Sequence, residues 1–121
     1  MAYIMITQTK HNELLDKFIF LISEKKFYDA HESIEYIWFP RRFEQDNEIK
    51  LLKGFINAAV SFELIKRGRY KASERVWNTY LKYIVLIDKI DSPHIQKYHL
   101  IATHVENFKK TIDDLYDYND I

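Results

Sequence analysis

A chain of 121 residues that is 47% hydrophobic and 16% aromatic is the size of one domain and too apolar to be disordered. Two glycines, two prolines and no cysteine exclude a turn-rich sandwich or barrel, a disulfide framework, a zinc finger and thiol chemistry. With 18 basic and 18 acidic residues the formal net charge is zero, so no global charge draws the chain to nucleic acid or a membrane.

The composition predicts an all-α fold, a single domain over residues 1–121 built as one compact bundle of about five helices around a central apolar helix. Residues 2–6 are apolar, but too few for the core of a signal peptide and without a basic flank. No apolar run is long enough to span a bilayer, so the expectation is a cytoplasmic protein.

The first helix is expected over roughly residues 10–24, with Thr9 as N-cap. Leu14, Leu15, Phe18, Leu21 and Ile22 form its apolar stripe. The second is expected over roughly residues 28–39 and stopped by Pro40, because the residue before a proline is pushed out of the α region. Phe27, His31, Ile34 and Trp38 share one of its faces.

The third helix starts near Asp46 or Asn47, ends near Arg67, and uses Gly68 as its C′ residue. From Gly54 to Ile65 its only charge is Glu63. A helix apolar nearly all round is central and buried. Glycine inside a helix costs about 1 kcal/mol relative to alanine, so Gly54 implies a close helix contact.

A fourth helix over roughly residues 70–90 turns back against the third through Gly68 as an antiparallel hairpin. Residues 83–87 are rich in β-branched side chains but continue a helical pattern and have no partner strand. Ser92 and Pro93 then suit the N-cap and N1 positions of a fifth helix. Its face is Ile101, Val105, Phe108, Ile112 and Leu115, and it gives way to an acidic tail near Tyr116.

The densest polar feature is His31-Glu32-Ser33-Ile34-Glu35-Tyr36-Ile37-Trp38. His31 and Glu35 are four apart and Glu32 and Glu35 three apart, so each pair meets on a helix surface. One reading is a structural network with Asn57, Ser61 or Glu63 of the third helix. Another is a metal site with His31 and Glu35 as ligands, although the two-histidine H-E-x-x-H face and the paired Glu-x-x-His segments of di-iron bundles are absent. His94, His99 and His104 step by five residues, point in three directions, and are read as surface or core-edge histidines. Lys66, Arg67, Arg69, Lys71 and Arg75 cluster at the hairpin tip and are read as solvated.

Ala30-His31-Glu32, Glu35 and Trp38 resemble the A-H-E-x-x-E-x-x-W signature of a prokaryotic family known as domain of unknown function 309. Gly54-Phe55-Ile56-Asn57-Ala58-Ala59 and Arg67-Gly68 resemble its second motif, G-L-I-Q-x-A followed by R-G-N. Asn57 stands where Gln is usual, Arg69 where Asn is usual, and Glu63 and Leu64 where the family often has Tyr or His. Lys71-Ala72-Ser73 replaces a Gly-Ala turn, and the last forty residues carry no family signal. The resemblance implies a small all-α fold and a spatial cluster of His31, Glu32, Glu35, Trp38 and Asn57. It supplies no activity and leaves any cofactor unknown.

The function expected is a non-enzymatic protein-interaction or self-association module, with a homo-oligomer or another protein as partner. The alternative is a metal-binding protein or enzyme centred on His31, Glu32 and Glu35. The weaker alternative is RNA binding through the basic hairpin at 66–75, although nucleic acid is not the expected partner.

Overall fold

In a computed structural model, which describes residues 6–115, five α-helices and two short 3₁₀ turns account for the described secondary structure, without a strand. Residues 2–5, Tyr116 and the tail positions Asp117 and Asp120 lie outside the described residues.

Helix α1 (Gln8–Ser23) is capped by Thr7, whose side chain accepts from Lys10 N at 3.0 Å. The cap is thus two residues earlier than expected. The helix ends in a Schellman turn: Lys26 N bonds to Leu21 O at 2.9 Å and Lys25 N to Ile22 O at 3.0 Å. Lys25 holds the left-handed conformation (φ 59°) that glycine usually supplies there.

Helix α2 (Phe27–Trp38) turns Phe27, Ala30, Ser33, Ile34 and Ile37 into the core. Pro40 ends it by a route other than the expected one. Phe39 stays helical (φ −59°, ψ −44°), and the chain tightens into a 3₁₀ turn over Phe39–Arg41. A proline has no N–H for the α ladder, and Arg42 N instead reaches Phe39 O at 3.3 Å.

Helix α3 (Asn47–Lys66) is capped by Asp46, whose side chain accepts from Ile49 N at 3.0 Å. Leu51, Leu52, Phe55, Ala58, Ala59 and Phe62 are wholly buried, so this is the central helix the apolar run implies. Gly54 lies against α4: an added Cβ would sit 2.9 Å from Tyr83 Cβ. Gly68 (φ 74°) closes a second Schellman turn, with Arg69 N on Leu64 O at 2.8 Å and Gly68 N on Ile65 O at 2.9 Å.

Helix α4 (Tyr70–Ile84) is shorter than expected, because residues 85–89 form a 3₁₀ turn. It buries Tyr80 and Ser73, whose hydroxyl donates to Ser61 O at 2.8 Å. Helix α5 (Ile95–Leu115) follows a turn in which Ser92 Oγ accepts from His94 N at 3.1 Å. Its Tyr98, Ile101, Ala102, Val105 and Ile112 face inward. Rings weld the layers: Phe27 with Phe62 at 5.7 Å, Phe62 with Phe108 at 4.9 Å, and Phe55 with Tyr98 at 6.1 Å between centroids. Among the described residues no helix is long and apolar enough to cross a membrane.

Candidate functional site

The periodicity of α2 decides which signature residues meet solvent. At about 100° per residue, Tyr28, Glu32 and Phe39 fall nearly opposite the core residues, and His31 falls at the flank. Accordingly Tyr28, Tyr36 and Phe39 are 58%, 63% and 48% exposed, unusual values for large rings. With His31, Glu32 and Glu35 they line a shallow groove of about 310 Å³. A second groove, about 330 Å³, runs between α1 and α2 along Leu14, Lys17, Leu21, Asp29, Glu32, Ser33 and Tyr36. Glu32 and Tyr36 border both grooves.

His31 joins Glu35, with Nε2 2.9 Å from the carboxylate. Its Nδ1 donates to Tyr28 O, and its ring lies 4.9 Å from the Tyr28 ring. Both ring nitrogens are thus engaged within α2. Neither is turned toward a third ligating side chain. Among the described residues no group of three or more His, Asp or Glu side chains is arranged to hold a metal ion.

The other signature residues lie elsewhere. Ala30 is wholly buried. Trp38 packs at the edge of the core, half-buried, with Lys53 Nζ 4.3 Å from its ring centre. Asn57 Nδ2 donates to Lys53 O at 2.8 Å, and Glu63 accepts from Arg67 Nε at 3.1 Å. Ser61 donates to Ala58 O. These groups of α3 bond within their own helix rather than to His31. The structure thus unites His31 with Glu35, sets Glu32 in the same groove, and keeps Asn57 and Glu63 out of that hydrogen-bonded set.

A denser polar cluster ties together the starts of α1, α3 and α5. The His11 and His94 rings stack 3.8 Å apart and within 7° of parallel. His11 Nε2 donates to Tyr98 Oη at 3.0 Å, and His94 Nδ1 to Asn12 Oδ1 at 3.0 Å. Tyr98 and Ser92 each donate to Glu48 Oε2 at 2.6 Å. Arg41 lies 3.7 Å from the other Glu48 oxygen, and Lys97 pairs with Asp16 nearby.

Burial holds both imidazoles below their usual range, His11 at about 4 with the neighbouring His94 adding to the effect. Burial and then the bond to Glu48 push the Tyr98 phenol up. The histidine, tyrosine, serine and asparagine groups bond to one another and to Glu48, while Arg41 also pairs with Glu44 and Asp46, so the cluster acts as a latch between helices. His94 is therefore buried, whereas His99 and His104 are exposed. One sequence signal pointed to it: His11 is in step with Leu14, Leu15 and Phe18.

The hairpin-tip cations Lys66, Arg67, Arg69, Lys71 and Arg75 are all exposed. A groove of about 560 Å³ between α4 and the end of α5, bordered by Tyr70, Trp77 and the Lys109–Asp113 pair, shares no residue with the signature.

A family model described as a domain of unknown function, DUF309, matches residues 15–76, which run from α1 into the first turns of α4. No curated protein and no solved structure matches the chain.

Proposed function

The chain belongs to the DUF309 family, and because that membership carries no activity, we propose from its own surface that it is a non-enzymatic interaction module. On this reading the outer face of α2 takes a cationic segment of a partner protein. The supporting observation is that the polar signature residues His31, Glu32 and Glu35 share a solvent-open groove with Tyr28, Tyr36 and Phe39.

The charge of this face favours a cationic partner. Residues 27–38 contain Asp29, Glu32 and Glu35 and no lysine or arginine, a net of −3, offset in part by Arg42 over the Phe39 ring at one end. Among the described residues neither Asp29 nor Glu32 has an ion-pair partner. Rings beside carboxylates suit lysine and arginine, whose charge is drawn to a ring face by about 0.5–1 kcal/mol at exposed sites. Exposed ion pairs add roughly 0.2–1 kcal/mol each, so the binding is transient and sensitive to salt. Trp38 packs at the core edge and Asn57 and Glu63 bond along α3, so none of the three takes part in the contact.

The test is a titration of isotope-labelled protein with a short peptide alternating lysine and arginine with glycine, followed by amide chemical shifts. Saturable shifts confined to residues 28–39 and their α1 neighbours are expected, with none from an aspartate peptide of equal length. Shifts spread over the whole surface, or none, would overturn the proposal.

A further inference from the structure

We infer, resting on that reading of α2, that the cationic segment is the turn between α3 and α4 of a second copy of this chain, so that copies associate head to tail. The two surfaces have opposite charge within one neutral molecule. Residues 27–38 carry −3, whereas residues 66–75 carry five cations against Glu74, a net of +4.

The cations of the turn are available. All five are exposed. Arg67 pairs with Glu63 of its own helix; among the described residues Lys66, Arg69, Lys71 and Arg75 have no ion-pair partner. None of the five is paired with Asp29, Glu32 or Glu35 of the same molecule, so the acidic groove and the basic turn do not satisfy each other within one chain.

Shape follows charge. The turn is open around Gly68, where an added Cβ would meet nothing within 4 Å, and its backbone is held by the Schellman hydrogen bonds. Its cations are thus presented from a pre-ordered backbone, which lowers the entropy lost on docking. The receiving surface is a groove flanked by rings. Arg42 already packs over Phe39 at 3.7 Å and over Phe43 at 4.4 Å, so this end of the surface makes cation–ring contacts in the monomer.

Two different patches meet in such a contact, so it is not a two-fold interface. One copy then keeps a free groove and the other a free turn, so the assembly grows as a ring or an open chain. A single turn in a shallow groove makes a small interface, at the weak end of protein association. Its attraction is mainly electrostatic and is screened within about 10 Å at 0.1 M salt.

Sedimentation equilibrium over a concentration series, at low and at high salt, tests this. The wild-type mass is expected to rise above 14.7 kDa with concentration at low salt and to return to it at high salt. Glu32→Lys with Glu35→Lys should stay monomeric, as should Arg69→Glu with Lys71→Glu. The second pair sits at the start of α4, where the helix dipole favours carboxylates, and circular dichroism verifies that both variants are folded. Mixing the two variants should restore association, because the intact turn of one meets the intact groove of the other.

A wild-type chain that stays at the monomer mass throughout would overturn the inference. So would variants that associate like the wild type, or a mixture that stays monomeric. If self-association fails while the lysine–arginine peptide still shifts α2, only the identity of the partner falls. If both fail, the reading of α2 falls with it.

Discussion

Acidification should weaken this fold through the histidine latch. An unfolded imidazole titrates near 6.5, whereas His11 in the folded protein is held at about 4. Between those values the unfolded state binds the proton and the folded state does not, so stability falls as pH falls. It is fully present above about pH 6.5, and for His11 alone the loss is about 2 kcal/mol by about pH 5.

His94, also lowered by burial and stacked on His11, adds in the same direction. The assay is urea unfolding from about pH 8 to about pH 5, for the wild type and for His11→Gln. Glutamine keeps a donor for Tyr98 but does not titrate. The wild type should lose stability across that window and the variant should lose distinctly less, keeping only the share that His94 contributes. Equal slopes for the two proteins would refute the idea that buried neutral imidazoles hold α5 against α1.

Gly54→Ala should destabilise by about 2 kcal/mol, because overpacking against α4 outweighs a helix-propensity gain of about 1 kcal/mol; a raised melting temperature would contradict the Tyr83 contact. Trp38→Ala should cost about 2 kcal/mol, below the roughly 3–5 kcal/mol for a fully buried large aromatic, since the ring is only partly buried at the core edge; denaturant unfolding reads the difference. Lys25→Gly should raise stability by about 1 kcal/mol by relieving a left-handed non-glycine residue, measured as a higher midpoint in the same assay.

Much of the fold was legible because its helices carry their own punctuation. The apolar run from Gly54 to Ile65 marked the central helix, and Gly68 marked its end. Thr9 was expected as the first cap, but Thr7 holds that place; two threonines two residues apart look alike until the hydrogen bond to Lys10 N is placed. Pro40 ended α2 by its missing N–H, not by driving Phe39 from the α region. The end of α4 was overestimated because a 3₁₀ turn keeps an apolar pattern without α hydrogen bonds.

The candidate surface was half legible. Spacing paired His31 with Glu35, but it also joined His31 to the Phe27, Ile34 and Trp38 stripe. His31 lies about 100° from the centre of the core face, so periodicity alone did not divide groove from core. The latch was almost invisible, because Asn12, Arg41, Glu48, Ser92, His94 and Tyr98 come from distant segments. Each is an ordinary polar residue until the bundle brings the helix starts together. His94 was grouped with His99 and His104 by spacing, yet only His94 is buried, since the turn at Ser92 swings it toward α1.

The central claim is that the outward residues of α2 serve binding more than folding. The most direct measurement is the affinity for the lysine–arginine peptide of the variant Glu32→Ala, Glu35→Ala, Tyr36→Ala, taken beside its thermal melt. A melt within a few degrees of the wild type with affinity reduced at least about tenfold, a loss of about 1.4 kcal/mol, is the expected result. Unchanged affinity, or a melt that collapses with the substitutions, would contradict it.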